Sequence, residues 1–147
     1  MIYSNWGTSQ KAKDVESNPQ AALAFWWKDL ERQVRVEGKV ERLSRDESQV
    51  YFDTRVRGSR IGAWASRQSQ RIEDRGELEQ WIKEVEEKFE GQDRIPCPEF
   101  WGGIRVIPER IEFWQGRESR LHDRFEYVRK EVVKDGEEEW EVSRLSP

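Results

Sequence analysis

Apolar positions along the chain switch between the two-residue period of strands and the three-to-four-residue period of helices, with no linker, internal repeat or low-complexity tract. Residues 1–6 read as the end of a strand. Thr8 or Ser9 can cap a short helix that stops before Asn18-Pro19, because the residue preceding a proline avoids the helical region. Residues 21–27 form an unbroken apolar run and read as a buried strand. Residues 33–43 read as a longer strand, with Val34, Val36 and Val40 alternating against Arg35, Glu37 and Lys39; the two suit an antiparallel pair.

Ser44 followed by Glu47 has capping-box spacing and opens a helix expected to run to about Arg55. A second helix, 77–90, places Leu78, Trp81, Ile82, Val85 and Phe89 on one stripe, which reads as core. Beyond Pro96 and Pro98, segments 103–107, 111–115, 124–133 and 140–145 carry β-branched or aromatic alternation. Asp135-Gly136 ahead of the acidic run 137–139 reads as a hairpin turn. Four closely spaced strands after inserted helices predict an α+β chain with an antiparallel sheet or small barrel.

Composition narrows the function classes. A chain of 147 residues suggests one domain, able to bury about 70% of its unfolded surface. Its net charge of −4 argues against a single-sign field that gathers nucleic acid or anionic lipid. Charged residues reach 38% and mean hydropathy is −1.03, values that suggest disorder until eight Trp are set beside them. The seven-residue apolar run is far short of the roughly 20 residues that span a bilayer, so no membrane association and a cytoplasmic location are expected. Cys97 is alone and reads as structural, and with a single His no Cys/His zinc site can be assembled; no metal is expected. His122 is the sole side chain with an ordinary pKa near neutrality, so chemistry must lean on it, on Arg and Lys, or on a cofactor.

Three constellations could carry that chemistry. If 120–124 is extended, Arg120, His122 and Arg124 share a face and invite an anion; the alternative is a solvated face with His122 paired to a carboxylate. Tyr51, Arg55 and Ser59 fall at i, i+4 and i+8, a phenol, a guanidinium and a hydroxyl suited to a phosphate if the helix persists past Gly58; the alternative is a Tyr packed over an Arg stem. Small and polar residues across 58–70, including Gln68 and Ser69, allow close approach of a ligand but contain no dinucleotide or Walker phosphate loop. Gln33 shares a strand face with Arg35 and Glu37, which could simply meet water.

Taken in order, Leu30-Glu31-Arg32-Gln33-Val34, Gln68-Ser69, Phe100-Trp101-Gly102-Gly103, Glu112-Phe113-Trp114-Gln115-Gly116, Arg120-Leu121-His122-Asp123-Arg124 and Arg144-Leu145-Ser146-Pro147 resemble the pyridoxamine 5′-phosphate oxidase family, and Asn5-Trp6-Gly7-Thr8-Ser9 is most similar to fungal members. The resemblance implies an antiparallel, FMN-binding split β-barrel with inserted helices. It further implies a homodimer with FMN at the subunit interface, and oxidation of pyridoxamine or pyridoxine 5′-phosphate to pyridoxal 5′-phosphate with O2 as acceptor. By motif, Tyr3, Ser4, Lys11, Gln33, Gln68, Ser69, Trp114 and Arg124 correspond to FMN contacts. Tyr51, Arg55 and Ser59 correspond to the substrate-phosphate triplet, and Arg120 and His122 to the catalytic pair that also binds the substrate over the flavin.

Two departures accompany the resemblance. Gln10 stands where the family carries an arginine, exchanging a bidentate phosphate donor for a neutral amide. The chain begins inside a strand, so residues 1–147 are expected to form a single split-barrel domain lacking the family's first strands. An alternative function is therefore a catalytically impaired, shortened relative that binds FMN or pyridoxal phosphate as a dimeric interaction protein. An RNA binder stacking bases on Trp and Arg fits the aromatics but finds no recognition motif here.

Overall fold

In the computed structural model, which describes residues 1–130 and 139–147, the elements run β1 (Ile2–Asn5), α1 (Gln10–Ser17), β2 (Gln20–Trp27), β3 (Arg32–Arg42), α2 (Arg45–Asp53), α3 (Arg57–Ala65), α4 (Arg75–Lys88), β4 (Trp101–Gln115), β5 (Asp123–Arg129) and β6 (Trp140–Leu145). Short 3-10 turns occupy Lys28–Leu30 and Glu118–Arg120. The sheet order is β2-β3-β4-β5-β6, with β1 also on β4. The pairs β1–β4, β2–β3, β4–β5 and β5–β6 are antiparallel, which makes the chain the expected α+β type. Two compact units result: Met1–Pro19 with Glu41–Arg105, and Gln20–Val40 with Val106–Pro147.

The first unit holds the buried core. Three of its four helices start where side-chain caps satisfy the first free amides, and α3, preceded by Val56, has none. Ser9 caps α1 through Ala12 N, Asp74 caps α4 through Glu77 N, and Ser44 with Glu47 forms both halves of a capping box at α2. Phe52 and Ile95 are fully buried and pack with Ile61, Phe89 and Trp101, against which Ile82 and Val85 of the predicted α4 stripe lie. The start of β4 passes close to α2: Ser48 Oγ accepts the Gly103 amide at 3.2 Å, and a Cβ on Gly102 would meet that oxygen at 2.8 Å. Cys97 is buried in this core and its amide donates to Gln49 Oε1 at 2.8 Å, while burial pushes its thiol pKa up.

In the second unit, β2 and β3 pair so that Trp26 lies opposite Gln33. The strand expected to be buried is instead open: Phe25, Trp26 and Trp27 are 47%, 54% and 46% exposed. An apolar run alone cannot tell burial against the chain's own core from an apolar face that nothing in this chain covers. Segments 103–107 and 111–115, expected as separate strands, are one strand, because Pro108 removes a single backbone donor without forcing a turn. The strand expected over 124–133 is present as β5 through Arg129; the rest of it and the Asp135-Gly136 turn lie outside the described residues.

Charge is organised across the strands of this unit. Arg110 on β4 pairs with Glu126 on β5 and reaches Glu37 on β3 at 3.7 Å, and Arg35 pairs with Glu37. Glu112 on β4 accepts two hydrogen bonds from Arg124 on β5, at 3.1 and 2.8 Å. These bonds hold the Glu112 carboxyl below the usual carboxylate range and Arg124 above its ordinary value.

A Cβ on Gly38 would lie 1.9 Å from the Ile107 carbonyl oxygen, so Gly38→Ala should lower unfolding stability by about 1–3 kcal/mol in denaturant titration. Gly58→Ala, in a helix and with open space around it, should raise it by roughly 0.5–1 kcal/mol. Because the folded-state pKa of Glu112 is depressed, its contribution is present above the unfolded value, near pH 4.3, and is lost as pH falls through the depressed value. The melting-temperature gap between wild type and Glu112→Gln should therefore be larger at pH 6 than at pH 3.

Candidate functional site

The first unit contains a cleft of about 370 Å³ whose walls include Tyr3, Ser4, Tyr51, Arg55, Ser59 and Gln68. The continuous helix expected to align Tyr51, Arg55 and Ser59 is absent: α2 ends at Asp53, Val56 is extended, and α3 begins at Arg57. The break nevertheless returns the chain so that all three side chains face one cleft. The Arg55 guanidinium lies 4.7 Å from the centroid of the Trp101 ring and 5.6 Å from that of Phe52. Its Nη1 is buried without a hydrogen-bond partner, and burial lowers the Arg55 pKa, with Tyr51 acting in the opposite sense. A cation supported by an aromatic face and short of one acceptor is suited to an anion. Tyr51 stacks on Tyr3 at 3.8 Å and lies nearly parallel to Trp101, closing one wall.

Beside this cleft, Lys11 Nζ donates to Gln68 Oε1, and Ser4 Oγ donates to the same oxygen at 3.3 Å. Burial lowers the Lys11 ammonium from its ordinary value. Ser69 has a left-handed backbone, φ +68°, and its hydroxyl accepts the Gln10 amide at 3.4 Å, which brings Ser69 to the start of α1. The Gln10 side chain turns away to Asp14 Oδ1 at 2.9 Å. Asn5 and Thr8, given no site role from the sequence, knit the region: Asn5 Nδ2 donates to Ser66 O at 3.1 Å, and Thr8 Oγ1 donates to Gln68 O at 2.9 Å.

The second unit has its own cleft of about 540 Å³, bounded by Trp27, Gln33, Phe113, Trp114, Arg117 and Asp123 among others. Gln33, whose face could have met water, is half-buried and lines it. At its rim Arg32 Nε donates to Gln115 Oε1 at 2.7 Å and Gly116 N donates to Glu31 O at 2.7 Å. His122 packs 4.6 Å from the Trp114 ring centroid, and its Nδ1 accepts the Arg117 amide at 3.2 Å.

The extended face expected for Arg120, His122 and Arg124 does not form. Residues Glu118–Arg120 make a 3-10 turn in which Ser119 and Arg120 have φ of +56° and +62°, and β5 starts only at Asp123. Arg120 is exposed, and Arg124 is held by Glu112 and by Ser146 O at 3.0 Å. Sequence reasoning missed Glu112, Arg117, Asp123 and Arg144. Asp123 accepts from Arg117 Nε at 2.7 Å and from Arg144 on another strand, a pairing set by sheet register that no local spacing could reveal.

Comparison with known proteins agrees with this layout. The profile described as "Pyridoxamine 5'-phosphate oxidase" matches residues 1–89, and "Pyridoxine 5'-phosphate oxidase C-terminal dimerisation region" matches 101–147. The chain is 57% identical over 146 residues to the pyridoxamine 5'-phosphate oxidase of Saccharomyces cerevisiae, covering 99% of this chain and 62% of that protein. It is 56% identical over 150 residues to a probable pyridoxamine 5'-phosphate oxidase of Schizosaccharomyces pombe, covering 100% of this chain and 63% of that protein. It thus spans a little under two thirds of these relatives' lengths. PhzG from Burkholderia lata 383, solved with tetrahydrophenazine-1-carboxylic acid, superposes with a TM-score of 0.78 at 25% identity, over 95% of this chain and 65% of its own. A pyridoxamine 5'-phosphate oxidase-related, FMN binding protein from Nostoc punctiforme gives 0.64 at 15% identity, over 95% and 68%, a likeness of fold alone. The fold is the antiparallel split β-barrel with inserted helices expected from the sequence, and the chain belongs to the pyridoxamine 5′-phosphate oxidase family.

Proposed function

We propose that the chain acts in an FMN-dependent oxidase that converts pyridoxamine or pyridoxine 5′-phosphate to pyridoxal 5′-phosphate with O2 as acceptor. The observation that carries this reading is the Arg55 guanidinium, supported on Trp101 with a buried, unpartnered Nη1 and flanked by Tyr51 and Ser59. A monoester phosphate supplies the acceptor that this group lacks. Each unit by itself offers groups that suit parts of FMN: in the first, Lys11 suits a phosphate and the Tyr3, Ser4, Gln68 and Ser69 cluster polar atoms; in the second, Trp114 with Gln33 in a largely apolar cleft suits a flat ring with a polar edge. Arg124 joins that set in this reading, its charge held in place by Glu112.

FMN, when bound, supplies the two-electron acceptor that oxidises the substrate's amine or alcohol carbon and passes the electrons to O2. The chain's own residues position and neutralise. Tyr51, Arg55 and Ser59 fix the substrate phosphate, so the reacting carbon is held at a set distance from its anchor. Arg120, exposed on its turn, orients the substrate from outside. His122 donates a hydrogen bond from Nε2, because its Nδ1 is already taken by the Arg117 amide. The open aromatic residues of the second unit's sheet, Phe25, Trp26, Trp27, Phe113 and Phe125, all more than 40% exposed, support a homodimer that covers them, with FMN at that interface.

The Gln10 side chain, tied to Asp14, favours the second reading, a binding protein without turnover. Absorbance titration of the purified chain with FMN, followed by aldehyde and peroxide assays on pyridoxamine 5′-phosphate, separates the two. Saturable flavin binding with aldehyde formation is expected; binding without aldehyde supports the second reading, and no binding at saturating FMN overturns the oxidase reading. Arg55→Gln should raise KM for the phosphorylated substrate roughly ten- to a hundredfold, the loss of a charge-assisted hydrogen bond of about 1.5–3 kcal/mol. The same variant should leave oxidation of the unphosphorylated alcohol unchanged, and equal losses on both substrates contradict the phosphate assignment.

A further inference from the structure

The turn joining β4 to β5 is strained and tied down at the same time. Ser119 and Arg120 are consecutive non-glycine residues with left-handed backbones, φ +56° and +62°, a conformation that persists only where surrounding contacts enforce it. Within the turn the enforcing bonds are few: Leu121 N donates to Glu118 O at 3.1 Å, and Arg117 N donates to His122 Nδ1 at 3.2 Å. The remaining constraint comes from Asp123, the first residue of β5. One of its carboxylate oxygens accepts Arg117 Nε at 2.7 Å, closing the turn at its base. The other accepts from Arg144 on β6, whose guanidinium also lies 5.4 Å from the Phe125 ring centroid.

We propose that Asp123 is a positioning residue whose doubly paired carboxylate holds the 117–122 turn in the one conformation that presents Arg120 outward and His122 with its Nε2–H free. The inference rests on the oxidase reading for what Arg120 and His122 then do, and on geometry alone for the positioning itself. Three consequences follow from the bonds. Holding Arg117 in place holds its amide against His122 Nδ1, which selects the Nε2–H tautomer of the neutral ring and sets it against Trp114. Asp123 uses its charge on Arg117 and Arg144, and Glu112 uses its charge on Arg124, so among the described residues no ion pair engages Arg120. The Arg120 guanidinium is therefore left open to an anionic ligand. The Arg117 bond, reinforced by both guanidinium charges and opposed by partial burial, holds the Asp123 carboxyl below the usual range, so the clamp stays charged at neutral pH.

The chain has one histidine, which makes the test direct. Long-range proton–nitrogen NMR of the 15N-labelled full chain at pH 8, without ligand, should show one imidazole in the Nε2–H form. Asp123→Asn should shift that signal toward the average of both tautomers. In the FMN-loaded protein, Asp123→Asn should lower kcat on pyridoxamine 5′-phosphate roughly ten- to a hundredfold, as misplaced reacting groups do, with a far smaller change in FMN affinity. Arg144→Gln, at a guanidinium two-thirds exposed, should fold and move both readouts in the same direction by less, while Glu79→Gln, which breaks an exposed helix pair, should move neither. A wild-type imidazole spectrum in folded Asp123→Asn overturns the proposal, and if that variant does not fold, a wild-type spectrum in Arg144→Gln does so. An inactive wild-type chain would overturn the oxidase reading, while the imidazole spectra would still decide the role of Asp123.

Discussion

Trp101 is the residue on which the first unit depends. It is 6% exposed, takes Phe52 edge-on at 5.0 Å, lies parallel to Tyr51 and Tyr3, and carries the Arg55 guanidinium on its face. One indole thus belongs to the hydrophobic core and also supports the cation at the cleft. The glycines that follow it are required by the same packing, since a side chain at Gly103 would meet Leu43 at 2.4 Å and Tyr3 at 2.8 Å. Placing a guanidinium on a buried ring rather than against a carboxylate has a chemical result: the charge is supported without being neutralised, so it remains free to meet a phosphate.

The second unit is built on a different economy. Most strongly buried apolar residues lie in the first unit, while Phe25, Trp26, Trp27, Leu30, Phe113, Leu121, Phe125 and Val142 of the second stay open. So many large apolar side chains exposed on one antiparallel sheet and the turns beside it exceed what an isolated soluble surface usually shows. The match of 101–147 to a family dimerisation region agrees with that excess. A chain this polar can still carry eight Trp because part of its aromatic surface lines a cleft and an open sheet instead of one interior.

How much of this was legible in the sequence depended on the range of the interactions. Ser9, one of the two caps expected for the first helix, Ser44 with Glu47, and Ile82, Val85 and Phe89 of the predicted stripe act within one or two helical turns, and the structure places them as their spacing predicts, while Leu78 and Trp81 stay outside the buried cluster. Local alternation failed where the outcome depended on something distant. The 21–27 run forms its strand but not its burial, because burial depends on what covers the sheet. The alternation of Arg120, His122 and Arg124 suits an extended face, yet residues 118–120 form a turn whose base is closed by the ion pairs of Asp123 with Arg117 and Arg144. Tyr51, Arg55 and Ser59 show the converse: the continuous helix behind the reading is broken at 54–56, and the three still share a cleft because the break redirects α3.

The charge content, the sequence's most obvious feature, divides on the same grounds. Pairs such as Arg75–Glu79 and Lys83–Glu87 sit on an exposed helix face and contribute about 0–1 kcal/mol each, so they supply solubility more than stability. The pairs on the second sheet differ in burial and in geometry. Glu112 and Glu126 keep only 16% and 13% of their side chains exposed, and each is committed to a guanidinium on a neighbouring strand. A partly buried carboxylate of this kind adds little net stability, since desolvation cancels much of the attraction, but it fixes its partner's direction. Every acidic group near the Trp114 cleft that the structure shows paired, Glu112 and Asp123, binds an arginine other than Arg120. The carboxylates of this sheet therefore fix the directions of Arg110, Arg117, Arg124 and Arg144, and among the described residues none of them pairs with Arg120.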